Sequence, residues 1–60
     1  MTSKQMISLL EENGFTKVRQ KGSHCFMRND KTGKTTTVTL HSAELKKGTE
    51  HKILKDAGLK

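Results

Sequence analysis

Residues 16–41 read TKVRQKGSHCFMRNDKTGKTTTVTLH, and polar and apolar side chains in this stretch alternate with a period of two. Such alternation is typical of strands that bury one face. Two breaks interrupt it: Lys21-Gly22 fits a tight hairpin turn, and residues 30–33 fit a four-residue turn. The stretch therefore predicts three antiparallel strands, at residues 16–21, 23–28 and 35–41.

Amphipathic segments flank these strands on both sides. Thr2 and Gln5 have the spacing of a capping box, and Gly14 suits the end of the first helix. Thr49 is expected to cap a second helix that ends at Gly58. The apolar stripes of the two helices are Met6, Ile7, Leu9 and Leu10, and Ile53, Leu54 and Ala57. Because both stripes must be buried, we predict one α+β domain over residues 1–60, of order α-β-β-β-α, with two helices side by side on one face of a three-stranded antiparallel sheet.

Strict alternation assigns the strand residues to two faces. The face packed on the helices is predicted to carry Val18, Cys25, Met27, Val38 and Leu40. The open face is predicted to carry Lys17, Arg19, Lys21, His24, Phe26, Arg28, Thr37, Thr39 and His41. If the second hairpin closes around residues 30–33, Cys25 pairs with Val38 and His24 pairs with Thr39. His41 then lies diagonal to His24, about 7–8 Å away between backbones.

Size and charge limit the possible functions. Sixty residues build one small core, so neither a deep pocket nor an enclosed cofactor is expected. Twelve Lys and Arg against six Asp and Glu leave a net charge of +6, which favours a polyanionic partner, either nucleic acid or an acidic protein. The lone Cys25 cannot form an internal disulfide, and no stretch approaches the roughly 20 apolar residues of a membrane span. We therefore expect a cytoplasmic protein without membrane contact.

A histidine beside cations on an open surface suits the cleavage of RNA. The ribose 2′-OH attacks the adjacent phosphate when a base takes its proton and an acid protonates the leaving 5′-oxygen. Imidazole titrates near neutral pH and serves either role, while Lys and Arg offset the charge on the phosphorane. RNA carries its own nucleophile, so this reaction needs no metal. The exposed Phe26 suits stacking on the bases of a single strand.

Two other functions fit the same residues. A non-catalytic RNA-binding module of this fold would bind a structured duplex, and a pure interaction module would hold an acidic protein on the basic face. A lone surface histidine is most often inert, and composition and pattern alone do not set His24 apart from that common case. Cys25 is expected to be a core residue, and the histidines do not have zinc-ligand spacing.

Two motifs in this order resemble those of the HicA toxins, small bacterial and phage RNA-cleaving proteins of type II toxin–antitoxin modules. The first is VRQKGSHCFM, with Gly22-Ser23-His24 after a basic strand, and the second is ELKKGTEHKILKDAGLK at the end of the chain. The resemblance implies a fold like the double-stranded RNA-binding domain. It also implies an mRNA interferase, an endoribonuclease that arrests translation and growth, with no cofactor and with a HicB antitoxin as partner.

Roles for individual residues follow partly from the resemblance and partly from the predicted open face. His24 occupies the position of the family's catalytic histidine. Single-stranded RNA is expected to bind Lys17, Arg19, Lys21, Gly22, Ser23, Phe26 and Arg28. His41 is a possible auxiliary residue on the register argument alone. We expect the free toxin to be a monomer, and the antitoxin to form a hetero-oligomer with it and mask His24.

Overall fold

The computed structural model describes residues 1–40 and 44–60, and it confirms the predicted element order. The elements are α1 (Ser3–Glu12), β1 (Phe15–Lys21), β2 (His24–Asn29), β3 (Thr35–Thr39) and α2 (Lys47–Asp56). The strands form one antiparallel sheet of order β1-β2-β3. The helix α1 packs on β1 and β3, and α2 packs on β3. The chain therefore has an α+β fold like the double-stranded RNA-binding domain.

The predicted capping box starts α1. The Thr2 hydroxyl accepts a hydrogen bond from the Gln5 backbone N–H at 3.1 Å, and the Gln5 side chain accepts one from the Thr2 N–H at 2.8 Å. Two backbone donors that have no partner within the helix are thereby satisfied. The helix ends before Gly14, whose φ of 92° is readily adopted only by glycine. The predicted start and stop of this helix are both confirmed.

The start of α2 differs from the prediction. The helix begins at Lys47 with Lys46 as its N-cap, and no side chain caps it. Thr49 therefore lies inside the first turn, and its predicted capping role is wrong. Leu45 is buried in the core and fixes the path of the chain just before Lys47, so tertiary packing overrides the local capping signal. At the other end, the helix stops before Gly58 as predicted, and Leu59 N–H donates to Leu54 O at 2.8 Å across that glycine.

A β-bulge in β1 overturns part of the predicted face assignment. Lys17 pairs with Met27 and Arg19 pairs with Phe26, which leaves Val18 without an opposite residue. The side chain of Val18 is 51 % exposed, so its predicted place in the core is wrong. Residues directly opposite each other share a face, so Lys17 lies on the face of the buried Met27 instead of on the open face. An inserted residue reverses the alternation, and strict period-two patterning cannot detect it.

The second hairpin follows the predicted register. Cys25 pairs with Val38 and His24 with Thr39. The loop of residues 30–33 closes through two backbone bonds between its ends, from Asn29 N–H to Lys34 O and from Gly33 N–H to Asn29 O. The buried Asn29 side chain also accepts from the N–H groups of residues 31 and 32. Turn chemistry at this loop therefore determines how β2 and β3 align.

The core lies between the two helices and one face of the sheet. Its buried apolar residues are Met6, Leu10, Phe15, Cys25, Met27, Val38, Leu45, Ile53, Leu54 and Ala57. Leu40 is partly buried against them. The segment before α2 joins the start of the chain, where Glu44 pairs with the terminal amino group and, by accepting its hydrogen bond, raises its pKa.

The two strand valines provide a direct test of this packing. Val38 is fully buried, whereas Val18 is half exposed at the bulge. We expect Val38→Ala to lower the free energy of unfolding by about 2 kcal/mol, because it removes two buried methyl groups and leaves a cavity. Val18→Ala removes the same atoms from the surface, and its effect should stay within about 0.5 kcal/mol. Urea unfolding of both variants measures the difference, and equal losses would contradict the bulge.

Candidate nucleic-acid interface

The open face of the sheet is a grid of three rows. The ladder pairs place Lys21, His24 and Thr39 in one row, Arg19, Phe26 and Thr37 in the next, and Thr16, Arg28 and Thr35 in the third. From here on, the open face means these nine residues, as the structure places them. Its central column, on β2, carries the histidine, the aromatic ring and one cation. Five of the predicted RNA-binding and catalytic residues therefore share one surface.

His24 is exposed at the start of β2, directly opposite Lys21. The two residues flank a turn made of Gly22 and Ser23, whereas Lys21 had been predicted within the turn. Gly22 has a φ of 59°, and a Cβ there would meet nothing within 4 Å. The turn backbone is therefore open to a ligand beside the imidazole.

Hydrogen bonds hold this turn in place. The Ser23 carbonyl accepts from Leu40 N–H at 2.6 Å, and the Gly22 carbonyl accepts from the Gln20 side chain at 3.2 Å. These bonds join the turn to the end of β3 and to β1. His24 is thus supported by all three strands, which fixes the backbone from which its exposed ring projects.

Arg19 and Phe26 form a cation–π pair in the middle row. The guanidinium carbon lies 5.1 Å from the ring centroid, within the distance at which such pairs attract. Phe26 is half-buried, so one part of the ring stays accessible. A planar guanidinium over an aromatic ring offers a stacking surface and a cation to the same nucleotide.

Arg28 is the third cation of the open face, and it has a competing partner. Its Nε donates to the Asp30 carboxylate at 2.9 Å, and both side chains are more than half exposed. Exposed ion pairs of this kind contribute little to stability. A phosphate can therefore replace Asp30 at small cost, although Asp30 lowers the positive potential at this end of the face.

One predicted site residue is not on this surface. Lys17 lies on the helix side of β1, where its Nζ donates to the Gln20 side chain at 3.4 Å. Gln20 is opposite the buried Cys25, which agrees with that placement. Thr16, which the sequence had not singled out, takes a place on the open face beside Arg28. The predicted proximity of His41 to His24 lies outside the described residues.

The open face can bind a single strand and act on its phosphate. Arg19, Lys21 and Arg28 line its length, and the Phe26 ring suits a base. His24 is beside Lys21, so the group that can move a proton and a cation that can offset phosphorane charge are neighbours. Among the described residues, no group of three or more His, Cys, Asp or Glu side chains is placed to hold a metal ion.

Comparisons with known proteins identify the family of this chain. Neither described helix is long and apolar enough to cross a membrane. No curated protein matches this chain. The family model described as the HicA toxin of bacterial toxin–antitoxin matches residues 3–59. Since that match spans nearly the whole sequence, this chain belongs to the HicA toxin family of toxin–antitoxin modules.

Proposed function

We propose that this toxin is an endoribonuclease that cleaves mRNA in the cytoplasm, with His24 as the general acid–base residue. The observation that carries the proposal is the pairing of His24 with Lys21 on the open face, next to the Arg19–Phe26 pair. The RNA supplies the 2′-OH, and His24 moves the proton. This function would arrest translation and growth.

The remaining open-face residues are assigned to binding. Arg19, Lys21 and Arg28 would hold phosphates of a single strand, and Phe26 would stack on a base. Gly22 and Ser23 would let the backbone approach beside His24. A HicB-type antitoxin would neutralise the toxin by covering this face, in a hetero-oligomer, and the free toxin would be a monomer.

Incubation of the purified chain with a single-stranded mRNA fragment in EDTA tests the proposed reaction. We expect cleavage that leaves 2′,3′-cyclic phosphate ends, because 2′-OH attack forms them and requires no metal. Tight, salt-sensitive binding of duplex RNA without cleavage of any RNA would favour the non-catalytic module instead.

Substitution of Arg19 and of Lys17 tests which side of β1 binds RNA. Both are exposed cations two residues apart, but only Arg19 is on the open face. We expect Arg19→Ala to reduce the slope of log affinity for single-stranded RNA against log salt by about 0.7, the loss of one phosphate contact. Lys17→Ala should leave that slope unchanged. Fluorescence anisotropy at several salt concentrations measures both, and equal slopes in the two variants would count against the open face as the binding surface.

A further inference from the structure

The outer edge of β3 presents backbone groups that the sheet does not use. In an antiparallel ladder, residues whose N–H and C=O point to the neighbouring strand alternate with residues whose groups point away. Lys34 O accepts from Asn29 N–H at 2.9 Å, and Leu40 N–H donates to Ser23 O at 2.6 Å, so both residues face β2. The residues that face outward are therefore Thr35, Thr37 and Thr39.

Only part of this edge is occupied. The Thr39 carbonyl accepts from the Ser3 hydroxyl at 2.8 Å. Within residues 1–40 and 44–60, no hydrogen bond is made to the outward groups of Thr35 and Thr37. Two donors and two acceptors, on Thr35 and Thr37, are thus without a partner among the described residues.

The two edges of the sheet differ in their protection. The β1 edge carries Lys17 and Arg19 on either side of a bulge, and both charge and bulges discourage strand addition. The β3 edge is Thr35–Thr39, TTTVT, with no charge, no proline and a continuous ladder. It is a regular edge of high strand propensity, which suits pairing with another strand.

A groove runs along this edge, between β3 and α2. The Thr36 hydroxyl donates to Ile53 O at 3.3 Å, which holds α2 over the helix side of β3. The groove is lined by residues from both faces of β3 and by Thr49, Lys52, Ile53 and Asp56 of α2. An added strand would alternate its side chains between this groove and the open face.

We propose that an extended acidic segment of the antitoxin adds to the β3 edge as a fourth strand. Membership of the HicA family supplies the antitoxin as partner, and the net charge of +6 on this chain favours an acidic segment. A second copy of the chain would instead bring a further net charge of +6 to the same edge. The inference rests on that family membership and not on the cleavage of RNA.

The alternation defines the chemistry of the segment. Its side chains over Ile53 would be small or apolar, because Thr36 and Ile53 are both part of the groove lining. Its side chains on the open face would be acidic, since β3 there carries only threonines and Arg28 is one strand further in. His24 would then lie about 10 Å from the added strand, two strand spacings away. Strand addition would thus anchor the antitoxin beside the open face, which is the proposed RNA-binding surface.

The test uses the complex of this chain with the antitoxin co-expressed from its operon. Hydrogen exchange at the Thr35 and Thr37 amides should slow at least about tenfold in the complex, because both become ladder donors. Thr37→Pro should weaken antitoxin binding by about 100-fold or more, since it removes an outward donor and blocks the edge. Thr37→Ala keeps the donor and should weaken binding by less than about fivefold.

Circular dichroism of Thr37→Pro verifies its folding, which is expected because the lost N–H makes no bond within the sheet. Free exchange of both amides in the wild-type complex would overturn the proposal. So would equal antitoxin affinity of folded Thr37→Pro and wild type, or protection that appears in the free chain with rising concentration, which would identify a second copy as the occupant. Cleavage of RNA by the free chain is measured separately, so a failure of either proposal is distinguishable from a failure of the other.

Discussion

His24→Ala should abolish most of the proposed RNA cleavage, with a fall in rate of about 10²-fold to 10⁴-fold. That range is the usual contribution of one general acid–base group. The cations of the open face remain in the variant, so binding of single-stranded RNA should change little. Single-turnover cleavage and anisotropy, measured on the same RNA fragment, separate the two effects. Growth after induced expression gives the cellular counterpart: arrest by wild type and none by the variant.

His51→Ala is the matched control. His51 is exposed like His24 but lies on α2, away from the open face. Neither substitution removes a buried group, so the thermal midpoint of both variants should stay close to that of wild type. Cleavage by His51→Ala should match wild type. If His24→Ala cuts as fast as wild type, His24 is not the acid–base residue.

Asn29→Ala should cause the largest loss of stability among the polar residues discussed. The buried Asn29 amide donates to Asn13 O at 3.0 Å and accepts from the Lys31 and Thr32 N–H groups at 2.9 and 3.3 Å. It thereby joins the end of α1 to the loop between β2 and β3. At about 1 kcal/mol for each hydrogen bond, we expect a loss of about 3 kcal/mol. For a domain of this size, the thermal midpoint should fall by about 10–25 °C.

Asn13→Ala provides the comparison for this variant. Asn13 is an asparagine of the same connection, but it is exposed and its side chain makes one bond, to Leu9 O at 2.8 Å. Its removal should cost at most about 1 kcal/mol. Thermal and urea unfolding of both variants measure the difference. A loss for Asn13→Ala as large as that for Asn29→Ala would show that burial and bond number do not decide the effect.

The parts of the fold that short-range chemistry determines were predictable from the sequence. The capping box at Thr2 and the positive-φ glycines at positions 14 and 58 depend on neighbouring residues alone. The same holds for the loop of residues 30–33, which sets the pairing of His24 with Thr39. The start of α2 was not predictable in this way, because burial of Leu45 outweighed the capping signal at Thr49.

The sequence by itself therefore determined the element order, the face on which His24 lies and its register with β3. Only the tertiary structure decided that Lys17 leaves this face while Arg19 and Lys21 stay on it. Phe15 is held in the core, and unbroken alternation from it would turn Arg19 and Lys21 towards the helices with Lys17. The bulge at Val18 reverses the alternation and brings Arg19 and Lys21 to the open face. This insertion forms only when β1 pairs with β2 while Phe15 packs in the core, so no local pattern of residues specifies it.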